Sequence, residues 1–193
     1  MDTNSIISSI TRHVNLDPAE EMYFKSLLLP IKVRQGDFPE RAHEISKGML
    51  YVNSGCLMSY FTDKQGTDRV IQFATAGWWT GDLHSFTKQI PSIYTTKALA
   101  DSEVFLLPKT DMDAALERLP KLERYFRMLF QNSLVAHQHR LVLAFSATAE
   151  ERYQEFEQKY SSLEQYVPLK YIASYLGITP EFLSKIRRRR MEK

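Results

Sequence analysis

The sequence predicts an α+β protein in which an antiparallel β-structure is followed by a long helix and a small all-α unit. Three observations indicate this order. Short aromatic and β-branched runs separated by turn residues fill residues 30–108, and a helical period of apolar residues returns after Pro108. Beyond residue 168, two short helical patterns are joined by Gly177.

The composition is that of an ordinary globular protein. Of 193 residues, 44% are hydrophobic and 25% are charged, and no apolar run approaches the roughly 20 residues that span a bilayer. The segment Met1–Ser5 lacks the basic and apolar stretches of a signal peptide, so we expect a cytoplasmic protein without membrane contact. A single cysteine, Cys56, cannot form an internal disulfide or hold an iron–sulfur cluster, and we expect no cofactor.

Basic residues concentrate toward the C-terminus. Residues 168–193 carry a net charge of +5, which leaves −3 for residues 1–167. The basic groups of this segment are Lys170, Lys185, Arg187, Arg188, Arg189, Arg190 and Lys193, and the acidic ones are Glu181 and Glu192. A basic end on a faintly acidic protein is typical of a partner that carries phosphates. A solvated charge run that aids solubility is the alternative, and charge alone does not separate the two.

The first 108 residues contain a helical start and then strands. Residues 5–29 are predicted to be helical, with a helix start at Asp17-Pro18. The strand runs are Leu50–Val52, Cys56–Phe61, Arg69–Phe73 and Val104–Leu107, with turns at Gly36-Asp37, Asn53–Gly55, Asp63–Gly66 and Ala76-Gly77. Short strands at a spacing of roughly ten residues predict an antiparallel barrel or sandwich.

After Pro108 three helices are expected before the C-terminal pair. Thr110 is the expected N-cap of the first, the second runs from Pro120 to about Phe145, and the third begins at its N-cap Thr148. The apolar residues of the long helix form two adjacent rows: Leu122, Phe126 and Leu129; and Phe130, Leu134, Leu141 and Phe145. A helix that is apolar over so wide an arc is buried on two sides. We therefore expect one side to cover the β-structure and the other to meet a second copy of the chain, with a wholly intramolecular core as the alternative.

Residues 169–186 carry the most informative pattern. Gly177 lies where a tight turn between two helices needs a positive φ, and Thr179-Pro180 is a good start for the second helix. The residues expected to hold the two helices together are Ile172, Ala173, Leu176, Ile178, Leu183 and Ile186. This joint spacing predicts a helix-turn-helix, whereas each feature alone also fits any helical hairpin.

The outward side of the second helix is the predicted surface for double-stranded DNA. The candidate DNA-binding residues are Thr179, Glu181, Ser184, Lys185, Arg187 and Arg188. They are short acceptors and long donors, which suit base edges and phosphates. We expect Glu181 to accept from a cytosine amino group, Lys185 to donate to guanine, and the arginines to contact phosphates.

The order of these parts resembles the Crp/Fnr family of bacterial transcription regulators. The resemblance runs from about residue 25 onward and rests on Leu50–Gly55, the Asp63–Gly66 hairpin and Gly77–Leu83. The last segment is similar to the Gly-Asp-x-x-Gly-Glu-Leu opening of the family's phosphate cassette. Glu181-x-x-Ser184-Lys185 resembles the family's Glu-x-x-Ser-Arg motif, with a lysine that lacks the bidentate fork of arginine.

The resemblance implies a division of the chain and a function. Residues 1–118 would form a sensor domain like the cyclic-nucleotide-binding β-roll, residues 119–146 a dimerisation helix, and residues 147–193 a helix-turn-helix domain. The expected function is a homodimeric regulator that binds an inverted-repeat operator, with an unidentified small-molecule effector and RNA polymerase as further partners. The family's β-hairpin wing has no counterpart before Lys193, and we expect the arginine run to supply phosphate contacts in its place.

The effector pocket departs from the family members that bind cyclic AMP. In those proteins a glutamate of the cassette accepts the ribose hydroxyl, and an Arg-Ser pair holds the cyclic phosphate. The corresponding candidates here are Gly81, Asp82, Leu83, Ser92, Ile93, Val135 and Ala136. Asp82 stands for the glutamate, Ser92-Ile93 for the Arg-Ser pair, and Val135-Ala136 for hydroxyls that contact the purine. Without the arginine a phosphate loses its charge-assisted bidentate contact, so we expect a less charged effector or a vestigial pocket.

Other interpretations were weighed against this one. His137 and His139 lie two positions apart on a helix and diverge, so no metal site is expected there. Of Trp78 and Trp79, strand alternation places one indole in the core. No spacing suggests a nucleophile and base or a carboxylate pair, so no enzyme is expected. The second functional hypothesis is a small-molecule sensor or interaction module that no longer binds DNA, which a mobility-shift assay on genomic fragments would separate from the first.

Overall fold

The computed structural model describes residues 1–160, 163 and 166–191. Its elements, numbered in chain order, are α1 (Asn4–Thr11), α2 (Pro18–Ser26), β1 (Leu29–Val33), β2 (Gly48–Ser54), β3 (Cys56–Thr62), β4 (Asp68–Thr75), β5 (Trp79–Thr80), α3 (Leu83–Lys88), β6 (Thr95–Ala98), β7 (Ser102–Pro108), α4 (Lys109–Arg118), α5 (Lys121–Ser146), α6 (Ala149–Lys159), α7 (Leu169–Leu176) and α8 (Pro180–Met191). Within this described part, no helix is long and apolar enough to cross a membrane.

The N-terminal region contains two helices rather than one helix over residues 5–29. The break falls before Asp17, which caps α2 by accepting the N–H groups of Ala19 and Glu20, both at 2.9 Å. The Glu20 carboxylate accepts the Asp17 N–H at 2.7 Å in return, which completes a capping box. The predicted helix start at Asp17-Pro18 is thus confirmed. The predicted end is wrong, because Leu29 pairs with Leu106 and opens β1.

The strands form two antiparallel sheets, as their spacing predicts. One sheet has the order β1-β7-β2-β5 and the other β4-β3-β6. We call these seven strands together with α3 the roll. In β2, Met49 and Tyr51 face the helices, while Leu50 and Val52 pack with residues of the second sheet such as Leu57. Alternate residues of a strand point to opposite faces, so the run Met49–Val52 is apolar because both faces of β2 are covered there.

The helix after β7 begins two residues earlier than the sequence predicts. Thr110 lies inside α4, whose N-cap position is Pro108, with φ −59° and ψ 151° and no capping side chain. Pro108 also closes β7 by pairing with Gly48, so the chain passes directly from strand to helix. The expected N-cap role of Thr110 is therefore wrong. That of Thr148 is confirmed, because its hydroxyl accepts the Glu151 N–H at 3.3 Å.

The long helix α5 has two different halves. In its first half Leu122, Tyr125 and Phe126 are buried against the roll and the N-terminal helices. The second half exposes large apolar side chains: Leu134, Val135, Leu141, Val142 and Phe145. The predicted apolar residues therefore lie on two sides of α5. The inner side, with the half-buried Leu129, is covered by the chain itself. The outer side, from Leu134 to Phe145, is not covered within this chain.

The C-terminal helices pack on the outer face of the three-stranded sheet. Phe73 of β4 meets Phe156 of α6 and Tyr175 of α7 at ring-centroid distances of 6.0 and 5.5 Å. The Ser174 hydroxyl donates to the Asp68 carbonyl at 2.8 Å and accepts the Val70 N–H at 3.0 Å. The helix-turn-helix is therefore docked on the roll through both an aromatic core and strand β4.

Candidate functional site

The turn between α7 and α8 has the predicted geometry. Gly177 adopts a φ of +70°, and the Ile178 N–H donates to the Ala173 carbonyl at 3.0 Å. Thr179 caps α8 by accepting the Phe182 N–H at 3.2 Å. The apolar side chains that hold the two helices together are buried: Ile172, Ala173, Leu176, Leu183 and Ile186. The two helices thus form a helix-turn-helix.

The side of α8 that faces away from α7 is exposed to solvent. The residues on it are Thr179, Glu181, Ser184, Lys185 and Arg188. The Ser184 hydroxyl donates to the Pro180 carbonyl of its own helix at 2.9 Å. Within the described part of the chain, Glu181, Lys185 and Arg188 take part in no ion pair. This surface can therefore present one carboxylate and two cations to a partner without first breaking ion pairs.

The rest of the arginine run points toward α6. Arg189 lies 3.9 Å from the Glu150 carboxylate, and Arg190 forms an ion pair with Glu157 and lies over the Tyr153 ring. Arg187 is half-buried and has further contacts. The four arginines are therefore not equivalent, and Arg188 is the one of them that is exposed and without an ion pair among the described residues.

A cavity of about 390 Å³ opens between the roll and α5, and we call it the roll cavity. Its walls come from β3, β4, β5, the start of α3 and one side of α5. The polar residues that line it are Ser59, Gln72, Thr80, Asp82, His84, Tyr94, Thr96, Ser133 and His137. Neither lysine nor arginine occurs among its described lining residues. The cavity therefore offers hydroxyls and a carboxylate, and no guanidinium or ammonium for a phosphate.

Asp82 is committed to the local fold. Its carboxylate caps α3 by accepting the His84 N–H at 2.9 Å and the Ser85 N–H at 3.1 Å, and it accepts the Ser92 hydroxyl at 2.8 Å. Asp82 and Ser92 are both buried. Asp82 and Ser92 lie in contact, as expected of two residues proposed for one pocket. The contact between them is a hydrogen bond within the protein. Together with the two backbone N–H groups, it occupies most of the positions at which the Asp82 carboxylate can accept a hydrogen bond.

The other pocket candidates are divided between the cavity and its surroundings. Gly81 and Leu83 line the roll cavity, whereas Ile93 is 63% exposed and lies outside it. Val135 is 63% exposed too, and Ala136 faces a neighbouring cavity instead. The expectation that Val135 and Ala136 line the roll cavity does not hold within this chain. Successive residues of a helix are rotated by about 100° around its axis. Residues 129, 133 and 137 of α5 line the roll cavity, and Val135 and Ala136 point in other directions.

A chain of hydroxyls that runs from the lining of the roll cavity to the buried Glu40 was not predicted from the sequence. The Ser59 hydroxyl lies 3.1 Å from that of Thr80 and 3.0 Å from that of Thr96. The Thr96 hydroxyl donates to Glu40 at 3.2 Å, and the Ser46 hydroxyl donates to the same carboxylate at 3.0 Å. Burial raises the pKa of Glu40, and the negative charge of Asp82 adds to the rise. A lone serine inside the apolar run Cys56–Phe61 was the available signal for this network.

The two tryptophans and the single cysteine are the remaining candidate ligand-binding or reactive groups, and Trp79 and Cys56 are buried in the core. Trp79 is buried in the core, where its indole N–H donates to the Tyr125 hydroxyl at 2.8 Å, while Trp78 is half-buried. Burial raises the pKa of the Cys56 thiol to about 12, which keeps it protonated and unreactive at neutral pH. Among the described residues no cluster of three or more His, Cys, Asp or Glu side chains is arranged to hold a metal ion.

Residues 30–119 match the family model of the cyclic nucleotide-binding domain. Over 165 residues the chain is 26% identical to the fumarate and nitrate reduction regulatory protein of Vibrio cholerae, and the match covers 80% of this chain and 65% of that protein. The chain is therefore similar to bacterial regulators of the Crp/Fnr type, and residues 30–119 match their cyclic nucleotide-binding domain. It thus spans slightly less than two thirds of the length of the Vibrio cholerae regulator.

Solved structures of Crp/Fnr proteins share this fold. FixK2 from Bradyrhizobium japonicum superposes with a TM-score of 0.74 at 18% identity, covering 84% of this chain and 83% of FixK2. The catabolite activator protein of Thermus thermophilus gives a TM-score of 0.61 at 20% identity, covering 95% of this chain and 87% of that one. Both alignments extend beyond the matched domain, so the fold shared with these structures includes more than the roll.

Proposed function

We propose that this protein is a transcription regulator of the Crp/Fnr type that binds inverted-repeat DNA as a homodimer through the outward face of α8. The exposed set Glu181, Lys185 and Arg188, without ion pairs in the described part of the chain, is the observation that carries the proposal. Glu181 and Lys185 discriminate bases in the major groove, and Arg188 contacts phosphate. Thr179, Ser184 and Arg187 lie beside them and complete the contact surface.

The second half of α5 supports a dimer. Leu141 and Phe145 are 57% and 83% exposed and lie one helical turn apart, with Leu134 two turns from Leu141 on the same side. Such a stripe on one helix fits the same stripe of a second copy around a two-fold axis. Two-fold symmetry then places the two α8 helices in successive major grooves, about 34 Å apart.

The roll cavity supports a sensor role for residues 1–118, with residues 119–146 as the dimerisation helix and 147–193 as the DNA-binding domain. The effector is a neutral or weakly charged molecule rather than cyclic AMP, because the described lining carries Asp82 and neither lysine nor arginine. The protein acts in the cytoplasm, has no enzymatic activity of its own, and regulates transcription through RNA polymerase.

Site selection from random DNA, followed by titration of the selected sites across a salt series, tests the DNA-binding proposal. We expect an inverted repeat. Arg188→Ala should weaken binding to all sequences alike and lower the log–log salt slope by about one unit for each phosphate that the side chain no longer neutralises. Lys185→Ala should relax base preference and cost about 1–3 kcal/mol at the selected site.

Arg189→Ala is the matched control, since it removes the same charge from the same helix at a side chain that lies near Glu150. It should change the salt slope less than Arg188→Ala does. If selection yields no inverted repeat, or if Lys185→Ala and Arg188→Ala bind like the parent protein, the assignment of α8 to DNA is wrong.

A further inference from the structure

A second cavity, of about 260 Å³, lies where the roll, α5, α6 and α7 meet, and we call it the junction cavity. It adjoins the roll cavity, and six residues line both: Ile71, Gln72, Trp79, Leu129, Ser133 and His137. Ala136 and Arg140, one helical turn apart, face the junction cavity from α5. The exposed apolar stripe from Leu134 to Phe145 lies on the other side of the same helix, so a partner helix on that stripe leaves the junction cavity open.

Two cations converge on the junction cavity. The Arg140 guanidinium donates to the carbonyls of Ile71, Val70 (3.1 Å) and Tyr175 (3.0 Å). These three hydrogen bonds fix its position and leave two of its five N–H groups. Because the acceptors are neutral carbonyls, the positive charge of Arg140 is not neutralised by them.

The second cation is Lys159, at the end of α6. The pKa of Lys159 lies below its ordinary value, because the surrounding protein removes water from the ammonium group and because the Arg140 guanidinium repels it. No carboxylate among the described residues forms an ion pair with either cation. Two like charges held together in this way favour an anion that contacts both.

The wall beside the two cations is aromatic. Trp78 and Tyr160 lie with ring centroids 5.6 Å apart, and Tyr175 meets Tyr160 edge-on at 5.8 Å. The Lys159 ammonium lies 5.5 Å from the Trp78 ring centroid, and the Arg140 guanidinium lies 3.9 Å from that of Tyr175. Such surfaces favour a flat, unsaturated ligand that packs against the rings.

We propose that the junction cavity is a binding site for a small aromatic anion, whose acidic group contacts Arg140 and Lys159 and whose ring packs against Trp78 and Tyr160. This site adjoins the roll cavity but has the opposite charge, since the roll cavity offers the Asp82 carboxylate and the junction cavity offers the cations of Arg140 and Lys159. The proposal does not depend on whether the protein binds DNA.

The test is a fluorescence titration of the full chain with 1-anilinonaphthalene-8-sulfonate, an aromatic anion, and with the neutral N-phenyl-1-naphthylamine. We expect saturable binding of the anion at one site per chain. Lys159→Gln should weaken it at least about tenfold, because the charge-assisted hydrogen bond to the acidic group is removed, while Lys159→Arg should retain it. Ala136→Leu, which adds bulk to the cavity without changing charge, should weaken binding of both dyes.

Lys32→Gln is the matched control, because it removes the same charge from β1, outside the cavity lining. It should leave the affinity for the anion unchanged. Lys159 makes no hydrogen bond within the described part of the chain and is repelled by Arg140, so Lys159→Gln should still fold, and thermal denaturation checks that it does. The proposal is overturned if anion binding is the same in Lys159→Gln and Ala136→Leu as in the parent protein, or if Lys159→Gln weakens the neutral dye as much as the anion.

Discussion

The roll cavity and the outward face of α8 place charged side chains in opposite ways. In the roll cavity, Asp82 accepts two backbone N–H groups and a serine hydroxyl, so its charge is used to hold the protein together. On α8, Lys185 and Arg188 are exposed and have no ion pair among the described residues, so their charge is available to a partner. A charged residue of a recognised motif can therefore serve the fold at one site, while the charged residues of another motif remain available to a partner.

The largest effect is expected from breaking the proposed dimer on which DNA recognition depends. Leu141→Glu places a charge in the exposed apolar stripe of α5, and a buried unpaired charge is strongly destabilising. Sedimentation should change from dimer to monomer, and affinity for an inverted repeat should fall by about 100-fold or more. Leu129→Glu, which the sequence alone favours for this purpose, would instead disturb packing within the chain, because Leu129 is half-buried and packs against the core.

Met22→Glu is the control for that experiment. Met22 is a large apolar residue that is 69% exposed on α2, away from the stripe, so the same substitution there should leave both the dimer and DNA binding unchanged. A stable monomer of the parent protein at micromolar concentration would contradict the dimer directly.

The second prediction concerns cyclic AMP, the ligand that the roll cavity is least suited to hold. Since its described lining carries Asp82 and no arginine or lysine, the cyclic phosphate would be desolvated without a cation. Calorimetry should give a dissociation constant weaker than about 100 μM. A value near 1 μM would require about 8 kcal/mol of binding free energy and would contradict this account of the cavity.

Patterns that act over a few residues predicted their structures well. The turn at Gly177, the Thr148 and Thr179 caps and the Asp17-Pro18 helix start depend on neighbours within one helical turn, and all four are present. Strands β2, β3, β4 and β7 were predicted because aromatic and β-branched runs alternate with turn residues, whereas the short strands β5 and β6 were not.

Features that depend on distant parts of the chain could not be predicted in this way. Glu40 lies outside the named helices and strands, and its contact with Thr96 is made across 56 positions of sequence. The faces of α5 depend on how the helix is rotated on the roll, which is why Val135 was misplaced. The pairing of Arg190 with Glu157 likewise arises only when α8 packs beside α6.

The third prediction tests whether Asp82 is mainly structural, by comparing two N-caps. Asp17 and Asp82 each accept two backbone N–H groups, but Asp17 is exposed and Asp82 is buried. Asp17→Ala should cost about 1 kcal/mol, a usual value for removal of a cap. Asp82→Ala should lower the melting temperature more, because the buried Ser92 hydroxyl also loses an acceptor. Asp82→Asn keeps an acceptor and should lie between Asp82→Ala and the parent protein. Equal melting temperatures for Asp82→Ala and the parent would contradict the structural role.

The smallest effect is expected from Glu40, the buried carboxyl behind the roll cavity. Because burial raises the pKa of Glu40 in the folded protein, the unfolded chain gives up this proton at a lower pH. The neutral form is therefore favoured in the fold. Its contribution to stability is present below the ordinary pKa of 4.5 and is lost as the pH rises through the folded-state value. The Ser46 and Thr96 hydroxyls donate to different oxygens of the Glu40 carboxylate, so Glu40→Gln keeps an acceptor for one of them and removes the charge at the same time. The melting temperature of Glu40→Gln minus that of the parent should therefore be larger at pH 8 than at pH 4. The increase should be roughly 2–4 °C for each kcal/mol by which the parent protein loses stability to the charged Glu40. Thermal denaturation at those two pH values measures the difference, with the exposed Glu44→Gln as control. A difference that is the same at both pH values would show that Glu40 carries no burial penalty.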